Sequence, residues 1–431
     1  MNRFLCEFAP FAEALERIAR GDLEIRPLAG RLAGLPSLKA LQSNLRHLTW
    51  KTQQIAAGDL DQTVDFMGDF STAFNRMTQQ LKDSYHELER RNQFIRKIFG
   101  RYTSDEIVEA LLDAPDGLKL GGEEREVTIL MSDLRGFTAM AARLTPRQVI
   151  DCLNLYLESM VEVITRYQGT IDEIIGDAIL VLFGAPMPCA EHASRALACS
   201  LAMQLAMADV NRRLAGQGAP ELEMGIGIHT GPVIVGNIGS LRRTKYAAVG
   251  SNVNLAGRIE SFTTGGQILI SEHTRKKIQA PLRIDGEFRV EPKGASGSLQ
   301  LFEVGGLGAP FNLAVPMRSA SLHELPNPLP IRFTVLEEKF VGRTVHEGRL
   351  TEASGNGARF QCEAVPPPLC NLKILVQAMP GGNPAGEIYA KVVESSAGPP
   401  GLARIHFTSV TPELKAWICS VTAARAESAT P

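Results

Sequence analysis

The chain has no long apolar run, no paired cysteines, no histidines at metal-ligand spacing and no excess of charge of either sign. Its apolar stretches, such as Ala178–Phe183, fall far short of the ~18 residues needed to cross a bilayer. The start, Met1-Asn2-Arg3-Phe4-Leu5-Cys6-Glu7, meets an acid too early for the apolar core of a signal peptide. A soluble, cytoplasmic chain with no membrane span is therefore expected. The seven cysteines (6, 152, 189, 199, 362, 370 and 419) are odd in number and scattered, with no Cys-x-x-Cys. That usage fits reduced thiols rather than a disulfide framework or a zinc site. Forty-five Lys and Arg against 47 Asp and Glu leave a net charge of −2. Binding to nucleic-acid phosphates usually shows as a basic excess in at least one domain. Nucleic acid is thus not expected as a partner, while a small anionic ligand stays open.

What is present is ordinary globular composition, 44% hydrophobic and 21% charged over 431 residues, enough for several domains. Residues 1–100 read as helical and regulatory. They contain an echo, Ile18-Ala19-Arg20-Gly21-Asp22-Leu23 and Ile55-Ala56-Ala57-Gly58-Asp59-Leu60, in which Gly-Asp after an amphipathic stretch is a helix stop. Phe74, Met77, Leu81, Leu88, Ile95 and Ile98 then recur at 3–4 spacing, interrupted by Ser84 and Arg91. Such a stripe suits either a helix packed on its own domain or a parallel dimeric coiled coil.

From 101 to 305 strands and helices alternate. Val127–Met131 is a short buried strand. Thr145 caps a helix that starts at Pro146 and ends by Gly169, with proline in its favoured first turn. A hairpin, Thr170–Ile175 and Ala178–Phe183, turns on Gly176-Asp177. A helix over Glu191–Leu214 and a glycine-bearing strand over Leu222–Val235 follow. This order predicts an α+β, ferredoxin-like sheet with helices on one face. Residues 306–324 read as a Pro/Gly-rich linker. Residues 325–425 show short strands at 331–336, 359–363, 372–378, 387–393 and 403–410 and a terminal helix near Leu414–Cys419, the pattern of a small β-barrel.

Two acids stand where chemistry could occur. Asp133 ends the first strand in Ser132-Asp133-Leu134-Arg135-Gly136-Phe137-Thr138, and Asp177 sits at the hairpin tip in Ile175-Gly176-Asp177-Ala178. Carboxylates at strand ends on one sheet edge suit a hard cation that completes its shell with phosphate oxygens. Either Asp alone is equally well explained as a turn residue.

Together with Gly225-Ile226-Gly227-Ile228-His229-Thr230-Gly231 and Val253-Asn254-Leu255-Ala256-Gly257-Arg258, these stretches resemble the catalytic domain of class III nucleotidyl cyclases, the adenylate and guanylate cyclases. The resemblance runs over residues 127–138, 170–184, 225–239 and 246–260. It implies a homodimeric lyase with shared sites, forming a 3′,5′-cyclic mononucleotide and pyrophosphate. By the same resemblance Asp133 and Asp177 bind two Mg²⁺ or Mn²⁺ ions per site. Asn254 and Arg258, four apart and so on one helix face, come from the other subunit to orient ribose and stabilise the reacting phosphate. Lys293 would touch the triphosphate, although a solvated surface lysine explains it too. His229 is expected to be packed or hydrogen-bonded.

The base-selecting positions are Glu173 and Ala247. Adenylate-type members carry lysine where this chain has Glu173. A carboxylate only accepts hydrogen bonds, which matches the two donors of guanine and opposes the acceptor N1 of adenine. Ala247 discriminates against neither base, so GTP is favoured, with ATP and cyclic AMP as the alternative. A nucleotide-binding signalling adaptor of weak activity is the reading from another class.

Three weaker likenesses remain. Residues 48–81, with Gly58-Asp59-Leu60 and Met67-Gly68-Asp69-Phe70, resemble a HAMP-type signalling linker. Gly121-Gly122-Glu123-Glu124 is similar to the signature of diguanylate cyclases but precedes the first strand and reads as a loop. The run Gly348–Phe360, with Glu352-Ala353-Ser354-Gly355-Asn356-Gly357, resembles the strand-turn of PilZ domains. That likeness implies a cyclic di-GMP ligand. Glu352 replaces the usual Asp or Asn and no Arg-x-x-x-Arg precedes it, so a protein partner or a dimer contact fits equally.

Overall fold

The computed structural model describes residues 2–23, 36–102, 107, 119–290, 298–317, 322–337, 340–341, 344–377, 385–396 and 398–428. They fall into two units, Met1–Arg101 and Tyr102–Pro431.

The first unit is helical, with α1 (Asn2–Ala19), α2 (Pro36–Ala56) and α3 (Asp69–Tyr102). Both copies of the echo stop a helix in the same way. Gly21 and Gly58 take φ of 84° and 102°, and the following Asp22 and Asp59 amides reach back to the carbonyls of Arg17 and Gln54 at 3.0 Å. That is the bond that closes a helix on a left-handed glycine. Between α2 and α3 the Asn75 side chain clasps the backbone of Val64, donating to its carbonyl and accepting from its amide at 2.7 Å each. Of the apolar stripe on α3, Phe74 is buried, while Met77, Leu81, Leu88, Ile95 and Ile98 are exposed.

The second unit holds two sheets. In the first, β1 (Gly121–Arg135), β2 (Thr170–Ile175), β3 (Ala178–Phe183), β4 (Glu223–Ser240), β6 (Ile268–Ser271), β7 (Leu282–Val290) and β8 (Leu299–Leu307) lie in the order β2-β3-β1-β4-β6-β8-β7. β5 (Arg243–Val249) pairs with β4, and β9 (Leu313–Ala314) pairs with β8. The hairpin forms where the sequence puts it, with Ile175 opposite Ala178 and Gly176 at φ 65°, the positive dihedral this tight turn needs. Gly121–Glu124 is not a loop. It is the first turn of pairing between β1 and the far end of β4, Gly121 opposite Asn237. Its residues are exposed on both faces, so no apolar alternation announces the strand.

After the short α4 (Phe137–Ala141), α5 (Pro146–Arg166) starts with the expected cap: Thr145 and Gln148 close a reciprocal capping box. It packs with α6 (His192–Gly216) on one sheet face, against Leu130, Leu134, Ile226 and Ile228. The helices are not confined to that face. α7 (Ser251–Ser261) lies on the other, because alternate residues of β4 there are glycine. A Cβ on Gly227 would stand 2.2 Å from the Glu260 amide nitrogen. One on Gly231 would meet the Asn252 side chain at 2.8 Å. Small residues two apart thus cut the groove that seats α7.

The second sheet closes on itself. β10 (His323–Glu337), β12 (His346–Ser354), β13 (Gly357–Cys362), β16 (Gly401–Val410), β15 (Gly386–Ser396) and β14 (Asn371–Val376) succeed one another, and β14 returns to β10. β11 (Phe340–Val341) is a side strand, α8 (Glu272–Lys277) follows β6, and α9 (Pro412–Ser428) packs Leu414 and Ile418 into the barrel core. The barrel is the closed form expected from its strands.

Gly227→Ala should force α7 off the sheet. We expect a loss of about 1–3 kcal/mol, the usual scale for overpacking, read as a lower urea midpoint. An unchanged midpoint would show that α7 is not seated on Gly227.

Candidate active site

Strand alternation builds the first half of the site. Odd-numbered residues of β1 point to the α7 face: Val127 and Ile129 enter an apolar cluster with Val233, Val235 and Ala256, and Asp133 and Arg135 continue the same row. Register places Ser132 opposite Ile179, so Asp133 comes alongside the Gly176-Asp177 turn. The two carboxyls interact, each bearing on the other's proton affinity. Burial first, then the charge of Asp133, pushes Asp177 up to about 6. Burial likewise raises Asp133, against the pull of the Arg135 guanidinium, which stands 3.6 Å away.

Two crowded, partly desolvated carboxylates are relieved by a hard cation. The donor set therefore fits Mg²⁺ or Mn²⁺. Among the described residues no group of three or more His, Cys, Asp or Glu gathers. That suits an ion completed by water and phosphate oxygens rather than a full protein cage.

Arg135 was not singled out in the sequence, yet it ties the two halves of the site together. Its Nη2 donates to the Glu260 carbonyl at 2.9 Å and to Thr263 Oγ1 at 2.6 Å, and it is paired with the Glu260 carboxylate. The guanidinium crosses the sheet over Gly225, where a Cβ would lie 2.3 Å from Nη2. Glu260 is buried, and burial pushes it up to about 7 while Arg135 draws it down.

The second half is α7. Ala256, Ile259 and Glu260 are its buried side, leaving Asn254 exposed and Arg258 half-buried. His229, beneath it, is buried and bonded through Nδ1 to Ser271 at 2.8 Å and through Nε2 to Asn252 at 3.0 Å. Burial lowers its pKa, so it serves packing, as expected.

Glu173 and Ala247 lie on β2 and β5. The pairing of β2 shifts between Ile171 and Glu173, leaving Asp172 as a bulge that re-aims its neighbour. Lys245, also missed in the sequence, stands 3.3 Å from Glu173 and 3.7 Å from the buried Asp172. Ala247 pairs with Gly236. Lys293 lies outside the described residues. In the barrel, the Glu352 carboxylate is held by Arg359 Nη1 at 2.7 and 2.8 Å, and no helix of the described residues is long and apolar enough to cross a membrane.

Residues 122–301 match the adenylate and guanylate cyclase catalytic domain, and residues 39–83 match the HAMP domain. Among curated proteins the chain is similar to an adenylate cyclase of Anabaena cylindrica, 31% identical over 285 residues, 61% of this chain and 54% of that one. It is similar also to adenylate cyclase 1 of Rhizobium meliloti, 28% identical over 211 residues, 48% of this chain and 32% of that one. The chain thus spans about half or less of these relatives. Among solved structures it is similar to the guanylyl cyclase Cya2, at 51% identity over 46% of this chain and 100% of that one, TM-score 0.45. The adenylyl cyclase CyaB from P. aeruginosa is 34% identical over 46% and 98%, TM-score 0.41. The chain carries an adenylate and guanylate cyclase catalytic domain, preceded by a HAMP domain.

The carboxylate pair predicts a stability signature. Asp177 holds its proton to about 6 in the folded chain, against 3.8 for an ordinary Asp. The folded state thus binds more protons in that window, and stability falls as pH rises through it. Asp177→Asn should raise the melting temperature of ion-free protein near neutral pH, a gain that vanishes below the unfolded value. Mn²⁺ should raise the melting temperature of the natural chain and leave the variant's unmoved. Equal Mn²⁺ shifts in both would remove Asp177 from the cation site.

Proposed function

We propose that this chain is a homodimeric nucleotidyl cyclase that converts GTP into cyclic GMP and pyrophosphate. The observation that carries the reading is the Asp133–Asp177 pair at one sheet edge, next to a helix whose Asn254 and Arg258 side chains have no partner among the described residues. In the reaction the 3′-hydroxyl attacks the α-phosphate in line, the bond to the β-phosphate breaks, and pyrophosphate leaves with its electrons.

Asp133 and Asp177 would hold two divalent ions. Bound there, such ions supply charge neutralisation on the triphosphate and ease loss of the 3′-hydroxyl proton. Arg258 donates to the oxygens of the reacting phosphate, where a guanidinium matches the charge that grows in the transition state. Asn254 orients the ribose through its amide. Both act on the nucleotide held by the partner's carboxylates. A heptad stripe left exposed on α3 supports the same twofold assembly.

Base choice rests on Glu173. Its carboxylate accepts from guanine N1–H and the exocyclic amine, whereas adenine N1 would face a like acceptor. Lys245 at 3.3 Å fixes where that carboxylate sits. Ala247 adds no hydrogen bond. The adenylate cyclases among the curated relatives make ATP the competing substrate.

Purified full-length chain, given GTP or ATP with Mg²⁺ or Mn²⁺, should release cyclic GMP in excess over cyclic AMP. Asp133→Ala should lower turnover at least about a hundredfold, the scale of a lost metal ligand. Glu173→Lys should move the kcat/KM ratio toward ATP by about tenfold or more, as loss of a matched hydrogen bond does. Cyclic AMP as the main product of the natural chain would overturn the GTP assignment. No cyclic product from either nucleotide would leave only a nucleotide-binding adaptor.

A further inference from the structure

Along β15, Ile388, Ala390 and Val392 point into the barrel core, so Lys391 points outward. An outward lysine on a barrel strand ordinarily reaches water. Lys391 is nevertheless only 2% exposed. Its ammonium is inserted into the cyclase domain, where it donates to the carbonyls of Ser261 and, at 3.0 Å, Thr263. These are the last carbonyls of α7 and the turn after it, the negative end of that helix. The same Thr263 offers its hydroxyl to Arg135.

The rest of the contact is specific too. His406 is the cross-strand neighbour of Lys391 and faces Glu223 at 3.5 Å. Arg143, beyond α4, donates to the Val410 carbonyl at 3.4 Å. The Thr408 carbonyl lies so close to Gly136 that a Cβ there would stand 2.2 Å from it. Burial lowers Lys391 to about 7, and Arg135 adds to the shift. A buried ammonium is costly unless its hydrogens are taken up, and here the α7 carbonyls take them.

We propose that the C-terminal barrel is an intramolecular brace for the cyclase site, with Lys391 as a positioning residue that pins the carboxyl end of α7. The proposal rests on the nucleotidyl cyclase reading for its catalytic consequence, and on the contact alone for its structural one. Pinning that end holds Glu260 against Arg135, and through Arg135 holds Asp133. Losing the ammonium leaves buried carbonyls unpaired and frees the helix that bears Asn254 and Arg258. A helix freed at one end misplaces Arg258 against the reacting phosphate, so the loss falls chiefly on turnover.

The test uses the full chain. Lys391→Met should lower kcat about tenfold, within the range that small misplacements of reacting groups produce, with KM for the nucleotide within about twofold. Lys391→Arg, which keeps the donor, should recover most of the loss. His406→Glu sets a carboxylate against Glu223, so it should undock the strand and lower kcat in the same way with the Lys391 side chain itself unchanged. Hydrogen exchange keeps the structural question separate: amides of residues 259–264 should exchange at least tenfold faster in Lys391→Met and His406→Glu, while those of β12 and β13 stay protected. Turnover at the natural rate in both folded variants would overturn the brace. If the natural chain makes no cyclic product, the cyclase reading falls and the exchange data decide the docking alone. Unchanged exchange at 259–264 would then refute it.

Discussion

The buried guanidinium of Arg135 is the constraint around which the catalytic unit is arranged. A fixed fork of donors in an apolar setting must find acceptors on several sides or cost several kcal/mol. Arg135 finds them through Nη2, in the Glu260 carboxylate, the Glu260 carbonyl and Thr263, with Asp133 3.6 Å from Nη1, while its Nε is buried without a hydrogen bond. Strand β1 and helix α7 are therefore locked at one point, two residues from Asp133 and two from Arg258. Glycines make the lock possible. Gly225 leaves the path for the guanidinium, and Gly227 lets the helix backbone rest on the strand. Any side chain at either place would break the geometry before it changed the chemistry.

Charge explains why this lock sits beside the carboxylate pair. Asp133, Asp177 and Glu260 bring three acids into one partly buried region, and Arg135 and Lys391 bring two bases. The imbalance favours uptake of cations at the Asp133–Asp177 edge, where two carboxyls face one guanidinium. Near-neutral net charge for the chain is consistent with this local arrangement.

Local elements were legible from the sequence because their signals are local. The Gly176-Asp177 hairpin, the Thr145 helix cap and the paired Gly-Asp helix stops each follow from residues a few positions apart. Asp133 and Asp177 were legible as candidates, although only β1–β3 register shows that they meet. Gly121–Glu124 escaped because a strand exposed on both faces has no apolar period. The strand His346–Ser354 shows in the sequence only through the strand-turn likeness at Gly348–Phe360, its glycine and polar content masking the alternation. Arg135, Glu260, Lys391 and Lys245 left no trace. Their partners lie far off in the chain, Arg135 being 125 positions from Glu260 and Lys391 130 positions from Ser261, and spacing says nothing about contacts of that kind. Lys391 in particular obeys the strand pattern perfectly as an outward, solvated lysine, and only a second domain packed over it changes its meaning.

The placement of the anchors on α7 gives Asn254 and Arg258 unequal freedom to move. Among the described residues the polar tethers of that helix to the sheet and barrel gather at its carboxyl end, at Glu260, Ser261 and Thr263, and at Asn252 near its start, which bonds His229 and the Pro232 carbonyl. Arg258 lies two residues from Glu260, about 3 Å of helix rise, whereas Asn254 lies six away, about 9 Å. A tilt of roughly 10° about the anchored end would move Arg258 by about half an ångström and Asn254 by about 1.5 Å. The bonds of Asn252 to His229 and to the Pro232 carbonyl are then the second support that keeps the helix from swinging. His229, expected from the sequence to be packed or hydrogen-bonded, thus helps hold Asn254 in register with Arg258.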